Sequence, residues 1–132
     1  MRILRFFLIL LMALAVWEAG WWAFGVEPVA PWTAREMLAS ENPPVIIDVR
    51  SQAEFTAFHI PGAVNVPFPA RAGELAGASP DPTRAVVVVC MTGHRSPPMA
   101  SMLGSVGYEK AFNLVGGMAG WKLTGGETVS GN

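Results

Sequence analysis

The chain carries one cysteine, Cys90, and the residues around it are of the kinds that make a thiol reactive. It follows the apolar run Ala85-Val86-Val87-Val88-Val89 and opens the turn-rich stretch Met91-Thr92-Gly93-His94-Arg95-Ser96. β-Branched residues bounded by turn residues read as a strand buried on both faces, as in a parallel sheet, and the next segment reads as a helix. Cys90 is thereby placed at the carboxyl end of a strand, where open α/β sheets bind ligands. Loop N–H groups can turn inward there, with Gly93 free to take a positive φ and Ser96 placed to cap the helix. Those donors, the helix dipole and Arg95 all favour a thiolate, so Cys90 is expected to be a nucleophile of depressed pKa. The plainer reading is a buried structural cysteine, a common role for this residue.

The elements that must hold this loop alternate along the chain. Thr33 and Glu36 spell a capping box, which predicts a helix over Ala34–Ala39. Pro43-Pro44 leads into a strand over Val45–Val49, and Ser51 with Glu54 spells a second capping box for a short helix. Ala63–Val66 reads as a strand, Ala70–Ala78 as a weak helix, Ala85–Val89 as the central strand and Pro97–Val106 as a helix. A strand over Ala111–Leu114 and a short helix over Met118–Leu123 complete the series. The alternation predicts an α/β fold, a doubly wound parallel sheet with helices on both faces, preceded by an N-terminal hydrophobic helix. Residues 27–32 read as a linker whose prolines discourage helix, and 127–132 as a tail.

Cys90 to Arg95 resembles the active-site loop of the rhodanese (sulfurtransferase) family, and three other stretches match in order. Ile47-Asp48-Val49-Arg50 with Glu54-Phe55 looks like the family's first strand and following turn. His59-Ile60-Pro61-Gly62-Ala63-Val64-Asn65-Val66-Pro67 is similar to its most recognisable signature, and Asn113-Leu114-Val115-Gly116-Gly117-Met118-Ala119-Gly120-Trp121 resembles its closing motif. The resemblance implies a single rhodanese-like domain over residues 33–126. It also implies an enzyme of the thiosulfate sulfurtransferase type, which moves sulfane sulfur from a small-molecule or protein donor to a thiol or cyanide-like acceptor through a persulfide on Cys90. Met91, Thr92, Gly93, His94 and Arg95 would form the substrate-binding loop, with Arg95 anchoring an anionic donor or shaping the loop and His94 at its rim. Asp48, Arg50 and His59 would support it, His59 through the turn before Pro61-Gly62. Family members that use thiosulfate carry extra basic residues in this loop; Met91 and Thr92 are neutral, which argues against thiosulfate as the physiological donor.

Three alternatives stand beside this reading: a non-catalytic sulfur carrier, a membrane-tethered binding module and a rhodanese-fold phosphatase. The phosphatase is disfavoured because only Met91, Thr92, Gly93 and His94 separate Cys90 from Arg95, a ring suited to a terminal sulfur; the related phosphatases have a longer loop. The loop also contains no Asp or Glu to protonate a leaving group.

Arg2 and Arg5 precede an uncharged apolar run from Phe6 to Trp17, and Ile3 to Trp22 reaches the ~20 residues that span a bilayer. Trp17, Trp21 and Trp22 would then lie near one interface, with Glu18 close to water. Residues 1–26 accordingly read as a transmembrane anchor or as a signal peptide cleaved after Ala13-Leu14-Ala15 or Ala23-Phe24-Gly25, with a buried or interfacial helix as the remaining alternative. Either of the first two keeps the N-terminus in the cytoplasm and exports the catalytic domain to the periplasmic side.

The remaining candidates read as structural. Met99 and Met102 have the helical spacing of core residues, Trp121 is a large aromatic after a Gly-Gly turn and reads as closing the core, and two histidines and one cysteine far apart imply no metal. No cofactor is implied. A formal charge of −1 gives no reason to expect nucleic acid as a partner.

Overall fold

The computed structural model describes residues 1–132. Alternate side chains of a strand point to opposite faces, so four consecutive valines demand cover on both. Strand β4 (Val86–Val89) obtains it: all four valines are buried. It lies between β2 (Val45–Asp48) and β5 (Ala111–Leu114), parallel to both. With β1 (Glu27–Val29) and β3 (Val64–Asn65) at the edges, the parallel sheet has the order β1-β5-β4-β2-β3.

One face sets Ile47, Val49, Val86 and Val88 against Leu75 of α4 (Ala72–Ala78) and Met99 and Leu103 of α5 (Ser96–Ser105). The other sets Ile46, Val87, Val89 and Leu114 against Ala34 of α2 (Pro31–Leu38) and Met118 and Trp121 of α6 (Gly117–Leu123). Each fully buried aliphatic side chain contributes about 1.5–3 kcal/mol by leaving water. Helices cover both faces, as the alternating pattern predicts.

The short helix α3 (Gln52–Ala57) starts at the expected capping box: the Glu54 N–H donates to Ser51 Oγ at 3.2 Å, and the Ser51 N–H to Glu54 Oε2 at 2.9 Å. The box expected at Thr33 and Glu36 does not form. Helix α2 starts earlier, with Pro31 in its first turn and Ala30 at the N-cap, because a proline there has its φ preset and loses no hydrogen bond. The stretch 27–32 is likewise no free linker. Its first residues form β1, and the Val115 N–H donates to the Val29 carbonyl at 3.0 Å. Pro28 is tolerated there because the strand lies at a sheet edge.

Residues 127–132 also take part in the fold. Val129 exchanges both backbone hydrogen bonds with His59 at 2.9 Å, and the Glu127 carbonyl accepts the Trp121 indole N–H at 2.8 Å.

Helix α1 (Arg2–Ala23) runs for 22 residues, about 33 Å at 1.5 Å per residue, and none of them is fully buried. Its C-terminal half lies against the sheet domain. Trp21 packs on the core beneath α5, and its carbonyl accepts the Val26 N–H at 3.0 Å.

Candidate active site

Strand β4 ends at Val89 and delivers Cys90, 1% exposed, to the start of a tight loop before α5. The loop turns at Gly93, whose φ of +90° is a conformation that side chains resist. That turn aims the Gly93 N–H at Cys90 Sγ, 3.0 Å away.

Ser96 does not cap the helix. The N-cap position falls on Arg95, and no side chain caps it. A cap normally satisfies second- and third-position N–H groups; here those positions hold Pro97 and Pro98, which have none. The fully buried Ser96 hydroxyl turns inward instead, 3.3 Å from Cys90 Sγ and 2.6 Å from Asn113 Oδ1. Burial of the sulfur works against its ionisation. The Ser96 hydroxyl, with backbone N–H groups of Ser96, Arg95 and Thr92, outweighs it, so the Cys90 thiol ionises below its ordinary pKa.

The Arg95 guanidinium grips Glu54 of α3 with two hydrogen bonds, 2.8 and 3.0 Å. Arg95 holds the Glu54 carboxyl down at about 2, with help from Ser51. The Arg95 side chain, which the sequence leaves open to an anionic donor or to the loop, is paired with Glu54 in the structure. Thr92 and His94 are exposed and joined to each other, Oγ1 to Nδ1 at 3.0 Å, while Met91 is half-buried against the α2–α6 core.

Helix α6 secures the loop from beneath. The Met118 and Ala119 N–H groups donate to the carbonyls of Cys90 and Met91 at 2.8 and 3.0 Å. This approach requires Gly117, at φ +55°, because a Cβ there would overlap the Cys90 and Met91 backbone.

Asp48 sits beside the site, in register with Val89, the residue before Cys90. It forms a buried ion pair with Arg50, Nη2 to Oδ2 at 2.7 Å. Arg50 also donates to the Phe58 carbonyl, so the pair ties β2 to the end of α3. His59 stacks on Phe55 at 3.8 Å between ring centroids, with Nδ1 2.9 Å from the Phe55 carbonyl oxygen. It makes no hydrogen bond to the Cys90 loop.

Four residues at the site lie outside the set to which the sequence points. Ser96 reads there as a cap and Glu54 as half of a capping box, although Glu54 serves that box and Arg95 at once. Asn113 carries a signal, as a polar side chain in an otherwise apolar strand, fully buried in β5. Glu18 carries another, as the one acid in the apolar N-terminal run. Its Oε2 accepts the Asn113 Nδ2–H at 3.3 Å, and the neighbouring Trp17 ring lies 5.4 Å from that of His94. The apolar N-terminal helix therefore reaches the same side-chain network as the cysteine.

A lone thiol at a strand end, held by inward N–H groups that favour its anion, can attack an electrophilic sulfur and then shelter a negatively charged terminal sulfur. Known proteins similar to this chain include sulfurtransferases. A thiosulfate sulfurtransferase of Tolumonas auensis is 32% identical over 80 residues, which cover 58% of this chain and 71% of that protein. A putative sulfur carrier protein of Bacillus subtilis is 34% identical over 79 residues, 58% of this chain and 40% of its own. The chain spans between 22% and 71% of the length of the first curated relatives it matches. A crystal structure of a protein from Anabaena sp. superposes with a TM-score of 0.70 at 27% identity, over 78% of this chain and 92% of that one. The model of the rhodanese-like domain matches residues 31–124, which takes in the Cys90 loop, the strand and α3 that brace it and the glycine pair beneath it, and the chain belongs to that family.

Proposed function

We propose that this protein is a sulfurtransferase that carries sulfane sulfur as a persulfide on Cys90. The Cys90 thiolate attacks the outer sulfur of a donor, the S–S bond of the donor breaks, and the remainder leaves with the electron pair. An acceptor nucleophile then attacks the terminal sulfur of the persulfide, and the Cys90 thiolate leaves. Gly93 and its neighbours meet the charge with N–H groups already in place, so little reorganisation accompanies either step. The observation that carries this reading is the Cys90 sulfur itself, 3.0 Å from the Gly93 N–H and within reach of the Ser96 hydroxyl. Its test is intact-mass analysis after exposure to thiosulfate and to organic persulfides, with cyanide-dependent thiocyanate release measured alongside. The protein gains the mass of one sulfur and turns over, whereas Cys90→Ser does neither while keeping its fold. Thiocyanate release by Cys90→Ser at the parental rate overturns the assignment.

A persulfide carrier with slow turnover is the second reading. The pairing of Arg95 with Glu54 favours it, because that cation is not free to draw in an anionic donor. The resemblance to a putative sulfur carrier supports it as well.

The N-terminal helix fits an uncleaved anchor. Its C-terminal end contributes Trp17, Glu18 and Trp21 to contacts with the domain, and cleavage near Ala23-Phe24-Gly25 would remove all three. With Arg2 and Arg5 ahead of the apolar run, the domain then lies on the extracytoplasmic face, its cysteine close to the membrane surface.

A further inference from the structure

A hydrogen-bonded chain of side chains leads from α1 to the reactive sulfur. Glu18 Oε2 accepts from Asn113 Nδ2 at 3.3 Å, Asn113 Oδ1 lies 2.6 Å from Ser96 Oγ, and Ser96 Oγ lies 3.3 Å from Cys90 Sγ. Ser96 has one proton and faces two acceptors. Two oxygens 2.6 Å apart repel unless a proton lies between them, so while Asn113 presents Oδ1 the proton is drawn to that side and its longer bond to the sulfur, 3.3 Å, is weakened. The orientation of the Asn113 amide therefore decides the matter, and a carboxylate facing its other end, able only to accept, fixes that orientation.

We propose that Glu18, on the N-terminal helix, is a positioning residue: it holds the Asn113 amide and so weakens the hydrogen bond from the Ser96 hydroxyl to the Cys90 sulfur. The helix that would anchor the chain thereby also tunes the thiol. With Glu18 in place, fewer cysteines are ionised, and each thiolate is the more basic and the stronger nucleophile. Without it, the amide can turn its Nδ2–H toward Ser96, which then accepts from Asn113 and donates to the thiolate. The role in sulfur transfer rests on the function proposed above; the effect on thiol ionisation does not.

The titratable and charged groups around Cys90 are few. Glu18 comes from α1, His94 and Arg95 from the loop, and Glu54 from α3, where it is paired with Arg95. Asp48 and Arg50 of the β2 end pair with each other. Neither α5 nor β5 bears a charged side chain, and Lys122 of α6 lies over the Phe58 ring.

The test is the pH dependence of Cys90 alkylation by iodoacetamide, measured on the full chain in detergent micelles. Glu18→Gln retains the size of the side chain but can meet the amide either way round. It is expected to move the alkylation midpoint down by about half a unit or more, a roughly threefold faster reaction at a pH below the midpoint. Glu18→Asp, still an acceptor only, stays nearer the parent. In a Ser96→Ala background the shift caused by Glu18→Gln falls to less than half. A midpoint in Glu18→Gln that is unchanged or raised overturns the proposal, and so does a shift of undiminished size without the Ser96 hydroxyl, which would reduce Glu18 to a distant charge. Absence of thiocyanate release in the parent, with the alkylation pattern as expected, would instead count against sulfur transfer alone.

Discussion

Gly117→Ala tests whether α6 and the reactive loop are built as one unit. At φ +55° an alanine carries a cost of about 1–2 kcal/mol from left-handed backbone alone. Its Cβ would also overlap the Cys90 carbonyl oxygen and come to 2.7 Å from the Met91 carbonyl carbon. Backbone cannot swing aside as a long side chain can. Either the overlap is held, at about 1–3 kcal/mol, or α6 backs away and weakens the Met118 and Ala119 hydrogen bonds at about 0.5–1.5 kcal/mol each. These are alternatives, so the total is about 2–5 kcal/mol, a large part of the roughly 5–15 kcal/mol that holds a domain together. Gly125→Ala supplies the control: its φ is +80° and nothing lies within 4 Å of the added Cβ, so only backbone strain remains. Urea unfolding of both variants in detergent, followed by near-UV circular dichroism, measures the difference. Gly117→Ala should lose at least about 1 kcal/mol more than Gly125→Ala, with a further loss of Cys90 alkylation rate. Equal costs for the two would refute the close approach of α6 to the Cys90 backbone.

Arg95→Ala and Glu54→Gln should slow sulfur transfer by similar factors, with thiosulfate and with a neutral persulfide alike, and the double variant should be no slower than either; additive losses would show that Arg95 serves the donor directly. The same pair predicts a stability dependence on pH. Since the Glu54 carboxyl is held at about 2 in the folded protein, its contribution is complete above its unfolded pKa and disappears as pH falls through about 4 toward 2. The stability gap between the parent and Glu54→Gln, followed by urea unfolding from pH 6 downward, should be level above about 5 and shrink below it; a constant gap at acid pH contradicts the pairing. A reporter active only after export, fused behind Asn132, should be active, and the fusion should resist alkaline washing from membranes at full mass; activity of a cytoplasm-only reporter instead reverses the topology.

Several features of this protein were local enough to be legible in the sequence. The four valines of β4 need cover on both faces whatever surrounds them, and a parallel sheet wrapped by helices, which the alternation of strands and helices implies, supplies it. The capping box at Ser51 and Glu54 closes within three residues, so no distant partner could alter it. The place of Cys90, at the junction of that strand and a glycine turn, is legible in the same way.

What the sequence could not decide were choices among partners distant in the chain. Thr33 and Ser96 both read as caps, but Pro31 starts α2 two residues ahead of Thr33, and Pro97 and Pro98 leave no N–H groups at the second and third positions of α5 for a cap to satisfy. Arg95 could have faced a substrate; the placement of α3 gave it to Glu54, 41 residues away. Glu18 and Asn113 lie 95 positions apart, and nothing in either neighbourhood announces the other. Backbone propensity and hydrophobic period act within a few residues. The direction in which a hydroxyl or a guanidinium points is set by whichever acceptor the folded chain brings within about 3 Å, and only the tertiary structure supplies that acceptor.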